Sequence, residues 1–239
     1  MTFQNYSDII FNAFLSSFRP TEIMNRKSDI VRQVSEAVDL RPKSVLFVGF
    51  NPAIIDISAD VEQVFLYQCS PTVVSYLQEC GIAAQSVDPH NCEPVDLTVA
   101  TDEYFTFAHD EEEQSYMLRE LLTATRGTLL TTVKDYKNQD FKDREYSQPA
   151  IIKTEEDRIA YIEIHDWDQQ DRAHWQTSVY ELHRGSCEYC GQYERRTLFF
   201  KQLARASHDL GAPKFLVHKN LMWKSLIKKN YEHVISISK

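Results

Sequence analysis

The chain has 239 residues, 43% of them hydrophobic, which suits one large domain or one domain with a sizeable insertion. A formal net charge of −9 argues against nucleic acid as a main partner, because phosphate binding needs a basic surface. No apolar run reaches membrane-spanning length, no basic stretch precedes an apolar core at the N-terminus, and five cysteines form an odd set without disulfide-like spacing; the expectation is a cytoplasmic protein with reduced thiols and no membrane partner.

Residues 1–20 form an aromatic segment in which Ile10, Phe11, Phe14 and Phe18 share a helical face and Pro20 ends the run. A helix packing on the domain is expected, with a partner-binding arm as the alternative. Thr21 can cap a second helix, whose apolar stripe runs through Ile23, Met24, Ile30, Val31, Val34 and Val38 to the stop at Arg41-Pro42.

Residues 45–48 (Val-Leu-Phe-Val) are an unbroken apolar run bounded by Gly49 and the turn Asn51-Pro52. Such a run reads as a strand buried on both faces, the kind found in parallel sheets. Gly49 stands where that strand hands over to a loop, where open α/β sheets bind ligands. Residues 53–58 leave room for a short helix, and 64–68 form a second strand. Ser70-Pro71 then combines a hydroxyl cap with proline at the first helical position, and Gly81 closes that helix. Strands follow at 82–87, 96–100 and 128–133. The acids 110–113 open the helix before the last of these, where they complement its dipole.

Alternation of this kind predicts a parallel sheet with right-handed crossovers. The pattern changes within residues 135–194: 150–154, 158–164 and 175–182 look like a three-stranded antiparallel insertion, with 165–174 as a long loop. Phe199, Leu203, Ala206 and Leu210 then line one helical face closed by Gly211, followed by a strand at 215–218, a short basic helical connection at 221–229 and a final strand at 233–238. The expected organisation is an N-terminal segment 1–20 and an α/β domain 21–239.

This order of elements resembles the class I S-adenosylmethionine-dependent methyltransferases: a Rossmann-like, mostly parallel sheet with flanking helices and an antiparallel last strand. Residues 199–237 also resemble uncharacterised methyltransferase-like proteins of tailed marine phages, which implies host cytoplasm or a virion as the location. The resemblance implies S-adenosylmethionine as cofactor and methyl transfer to an unidentified acceptor. Placed by position, the family's first motif falls on residues 48–52, where Gly49 fits and Asn51 follows. Phe50 and Pro52 replace the usual flexibility, and proline removes an amide donor. Gln68 stands where the family has a ribose-binding acid, Asp88 fits the position near the adenine, and Thr101-Asp102 with Tyr104 fit the motif after the fourth strand. The resemblance implies that Gly49, Asn51, Gln68, Asp88 and Thr101 bind the cofactor and that Asp102 and Tyr104 orient the acceptor.

Two alternatives stand beside it: the same fold without catalysis, as a structural or interaction protein, and an acetyltransferase of the GNAT type. The latter needs a glycine-rich turn, and residues 191–196 contain one glycine. Three further features bear on function. Cys187 and Cys190 lack the second ligand pair of a structural zinc site, so no metal is expected. The segment with His165, Trp167 and Trp175 is dense in imidazoles and carboxylates and is a candidate substrate loop; a polar loop anchored by two tryptophans is the plainer reading. The basic C-terminus, with Arg195 and Arg196 at a helix start, reads as a solvated face, or, like the aromatic N-terminus, as a surface for an assembly partner.

Overall fold

A computed structural model describes residues 2–15, 41–57, 61–101, 104–134, 144–146, 150–153, 158–168, 170–171, 173–198, 200–212, 214–224 and 231–238. The expected helix at 21–40 lies outside these residues, as do Asp102 and Glu103.

A seven-stranded sheet forms the core. Its strands are β1 (Ser44–Val48), β2 (Gln63–Tyr67), β3 (Ala84–Ser86), β4 (Val95–Ala100), β5 (Thr125–Lys134), β11 (Lys214–Lys224) and β12 (Tyr231–Ser238), in the order β11-β12-β5-β4-β1-β2-β3. The apolar runs read from the sequence are its parallel centre: β1 pairs with β2 and with β4, and β4 pairs with β5, all parallel. The last strand, β12, lies antiparallel between β5 and β11. Residues 221–224, expected in a helical connection, instead continue β11, where Met222 and Trp223 pair with His233 and Glu232 after a register shift.

Local sequence explains the joints. The helix α3 (Pro71–Glu79) starts at Ser70 with proline in its first turn, and the chain leaves it through Gly81 at φ 83°, a conformation that glycine adopts without a steric cost. The acidic helix α4 (Glu111–Thr123) is capped by Asp110, whose carboxylate accepts the Glu113 N–H at 2.8 Å. Two helices complete this part, α2 (Ala53–Ile57) and α5 (Phe200–Asp209).

Between β5 and α5 the chain builds a second, antiparallel sheet. The three expected strands are present as β7 (Ala150–Lys153), β8 (Arg158–Trp167) and β9 (His174–His183), and two more join them, β6 (Arg144–Tyr146) and β10 (Ser186–Arg196). Residues 191–196, weighed as a cofactor turn, are therefore strand, paired with β9. The long loop expected at 165–174 is shorter, because His165 to Trp167 and His174 to Trp175 continue the β8–β9 ladder. One face of this sheet is buried, and it carries Tyr161, Glu163, His165 and Trp167 from β8, Trp175, Thr177 and Val179 from β9, and Tyr193 and Arg195 from β10.

The N-terminal helix α1 (Phe3–Leu15) packs as a helix on the domain, as its apolar face requires, with Phe3, Tyr6, Ile10 and Phe11 buried. It packs between the two sheets. Phe11 and Phe14 meet Phe50 after β1, with ring centroids 5.0 and 5.2 Å apart, while Tyr6 meets Tyr193 of β10 at 5.4 Å.

Candidate functional site

The strand order puts the switch point of the parallel sheet at β1 and β4, and ligands of open α/β sheets bind outside the carboxyl ends of such strands. Gly49 leaves β1 at φ 75°, and its N–H donates to the Tyr67 carbonyl at 2.8 Å, which ties the ends of β1 and β2 together. A side chain on Gly49 would come within 2.7 Å of the Phe3 ring. The next amide, Phe50 N–H, donates to Ser7 Oγ at 2.6 Å. Asn51 accepts the Ala53 N–H at 2.9 Å, at the start of α2, and donates to Thr101 Oγ1 at 3.0 Å. Asn51 and Thr101 are both buried, and this bond clips the loop after β1 to the loop after β4.

Beside this clip lies a cavity of about 490 Å³. Tyr67, Gln68, Tyr104 and Phe107 line it from the parallel-sheet side, Glu113, Tyr116 and Glu120 from α4, and Gln176, Gln192 and Glu194 from the second sheet. Gln68 holds φ 56°, a left-handed conformation that is uncommon for a residue with a side chain and that clusters at ligand sites. Tyr104 is packed edge-on against Phe3 at 4.8 Å. Burial, with Tyr67 and Glu120 beside it, pushes the Tyr104 phenol well above its ordinary pKa, so it stays protonated at neutral pH. Glu120 is raised as well, by burial first, and Tyr67 and His90 partly offset that.

Asp88 caps the turn Pro89–Asn91 by accepting the His90 N–H at 3.0 Å. With His90 and Glu120 it brings three potential metal ligands within 4.8 Å of one another. His90 Nε2 lies 3.1 Å from Glu120 and 2.9 Å from the Tyr116 hydroxyl. Cys187 and Cys190 lie on β10 across from β9, Cys187 exposed and Cys190 part-buried.

His165, Trp167 and Trp175 sit on strands rather than on a loop. His165 is buried, with Nδ1 2.9 Å from Thr177 Oγ1 and Nε2 3.3 Å from Glu163, and it lines neither cavity. Trp167 and Trp175 pack ring to ring at 4.7 Å and line a second cavity of about 520 Å³. The two cavities share His109, Gln176 and Glu194, so they adjoin. Arg195, read from the sequence as part of a solvated helix start, is buried on β10 instead. Its guanidinium lies over Phe107, Tyr193 and Tyr6, at 4.5, 5.0 and 5.1 Å from the ring centroids. The residues that sequence reasoning missed are Phe3, Ser7, Tyr67 and Glu120. Their only local signal is the aromatic face of α1 and the tyrosine that ends β2.

DesVI of Streptomyces venezuelae superposes with a TM-score of 0.69 at 10% identity, over 98% of both chains. An S-adenosylmethionine-dependent methyltransferase from Clostridium acetobutylicum gives 0.67 at 9% identity, over 97% of this chain and 98% of that one. CalS10, an amino pentose methyltransferase of Micromonospora echinaspora solved with S-adenosylmethionine bound, gives 0.66 at 10%, over 95% and 96%. The fold is that of the class I methyltransferases. No protein-family model and no curated protein matches the sequence, so function rests on the site itself. No helix among the described residues is long and apolar enough to cross a membrane.

For a class I methyltransferase cofactor, the residues fall into two sets. Gln68, Tyr67, Tyr104 and Phe107 face an open cavity with room and polar groups for a nucleoside. Gly49 and Phe50, at the turn after β1, are covered by Phe3 and Ser7. Asn51 and Thr101 line neither cavity.

Proposed function

We propose that the chain binds S-adenosylmethionine across the carboxyl ends of β1, β2 and β4 and transfers its methyl group to an acceptor held beneath the second sheet. The observation that carries this is the cavity outside the end of β2, walled by Gln68 and Tyr104 and roofed by Gln176, Gln192 and Glu194. The cofactor, when bound, supplies an electrophilic methyl group on a sulfonium. Gln68 would hold the ribose hydroxyls by hydrogen bonds, and Asp88, behind Glu120, would serve the adenine end. The ring faces of Tyr104 and Phe107, with Glu113, Glu120 and Glu194 nearby, suit a positive centre. The second sheet would keep water from the reacting atoms, and the adjoining cavity at Trp167 and Trp175 would give the acceptor a place beside the cofactor. Tyr104, held protonated, orients the acceptor by donating a hydrogen bond and does not act as its base. Asp102, expected from the sequence to orient the acceptor with Tyr104, lies outside the described residues.

Calorimetric titration tests this. Gln68 lacks the charge of a carboxylate, and a hydrogen bond to a charged group contributes about 1.5–3 kcal/mol. Wild-type affinity for S-adenosylmethionine is therefore expected to be weak, on the order of high micromolar to millimolar. Gln68→Asp restores the carboxylate and should tighten binding about tenfold or more. Absence of binding to both proteins, each correctly folded, would overturn the assignment.

A further inference from the structure

Helix α1 stands where a ligand bound over the first turn would have to lie. Phe3 covers the bare Cα of Gly49, with ring atoms 2.7 and 3.2 Å from where a Cβ would be, and Ser7 Oγ is 3.2 Å from the same point. The Phe3 ring continues against Tyr104 at 4.8 Å and Phe107 at 5.0 Å, both of which wall the cavity. The hydrogen bonds of the turn are just as occupied. Gly49 N–H serves the Tyr67 carbonyl, Ala53 N–H serves Asn51, and Pro52 has no N–H. Phe50 N–H is one donor that the turn could offer to an anionic ligand group, and Ser7 holds it at 2.6 Å. The Cys69 thiol nearby is pushed up to about 12 by burial, so it is a neutral neighbour and not a competing anion.

The geometry points to α1 as an intramolecular plug: Phe3 and Ser7 occupy the seat of the amino-acid end of a nucleoside–amino-acid ligand, while the nucleoside end of the cavity stays open beside Gln68. The helix and the carboxylate-bearing end of the ligand exclude one another. Displacement of α1 uncovers Gly49 and releases the Phe50 amide to the carboxylate, so α1 sets how much cofactor the protein accepts. This rests on the cofactor assignment above, and the test separates the two.

Full-length wild type, Phe3→Ala and Ser7→Ala are titrated with adenosine and with S-adenosylmethionine. Adenosine reaches only the open end, which Phe3 lines and Ser7 does not, so its affinity should agree between wild type and Ser7→Ala to within about twofold, and Phe3→Ala is read by the gain of S-adenosylmethionine over adenosine in the same protein. S-Adenosylmethionine should bind Phe3→Ala about tenfold or more tighter than wild type, and Ser7→Ala several-fold tighter. If adenosine binds and Phe3→Ala fails to tighten S-adenosylmethionine, or weakens it, α1 is a fixed wall of the site and the plug is wrong. If neither ligand binds any of the three proteins, the cofactor assignment falls and the plug with it. Hydrogen exchange on wild type gives a check that needs no variant: saturation with S-adenosylmethionine should speed exchange in α1, and unchanged or slowed exchange there overturns the proposal.

Discussion

The two sheets stand on different interactions. The parallel sheet is held by apolar burial: all five residues of β1 are buried, and Leu46 is fully so, between β2 and β4. Its buried polar side chains are threonines and serines, such as Thr98 and Thr125, which bond one another at 2.6 Å, and Thr131, which donates to the Ala100 carbonyl at 2.7 Å. The second sheet turns charged groups inward. Glu163 is fully buried and accepts the Tyr193 hydroxyl at 3.1 Å, with His165 at 3.3 Å, and Arg195 lies under three aromatic rings. Apolar burial is non-directional and tolerates small shifts. A buried polar network is satisfied in one register, and any slip leaves desolvated groups without partners. The difference assigns the two sheets different work: the first supplies stability, and the second sets the place of α1 and of the cavity roof.

The largest test of this contrast is Leu46→Ala. It removes a fully buried side chain from the central strand and should cost about 2–5 kcal/mol in urea unfolding, with both sheets lost together. Glu163→Gln keeps the shape and removes the charge beneath the second sheet. A loss of about 1.5–3 kcal/mol is expected, with faster hydrogen exchange in β8 and β10 and little change in β1 and β4. Equal loosening of both sheets would show that the network serves global stability and not local register.

The smallest effect lies at the amino-terminal end of β4. Asp96 is held below its ordinary value of 3.8 by its bond to Arg126 and by the N–H groups of Lys43 and Ser44. A depressed folded pKa contributes stability that is complete above about pH 4, the unfolded value, and is lost as pH falls through the lower folded value. Asp96→Asn should therefore lower the thermal midpoint at neutral pH by less than either variant above. It should also flatten the loss of stability below about pH 4, which a thermal melt series between pH 7 and pH 2 would read. An unchanged acid limb would place that sensitivity in other carboxylates.

The main architecture was legible because its signals are local. Residues 45–48 are apolar without interruption, and 64–67, 97–100 and 129–132 interrupt their apolar residues only with tyrosine or threonine; such runs have few stable environments besides the middle of a parallel sheet. Gly81 and Gly211 mark the helix ends through their positive φ, and Asp110 caps α4 through a bond three residues away. The site was less legible. Gly49 and Gln68 lie at the expected edge, but nothing near either residue reports that Phe3 covers the first, or that the second lines a cavity whose roof comes from residues 176 and 192–194.

The sequence by itself determined where the parallel strands lie, where the capped helices Pro71–Glu79 and Glu111–Thr123 start, and that the chain changes character after residue 134. Those features follow from side-chain periodicity, caps and turns within a few residues of one another. Tertiary structure alone decided that Arg195 is a buried cation rather than a solvated one, that Asn51 and Thr101 clip two loops together, and that α1 lies across the turn after β1. Each depends on a partner far along the chain: Arg195 on Tyr6, Asn51 on Thr101, Phe50 on Ser7. A charged or polar side chain can be buried only when such a partner compensates its lost water, and that compensation is a property of the assembled fold.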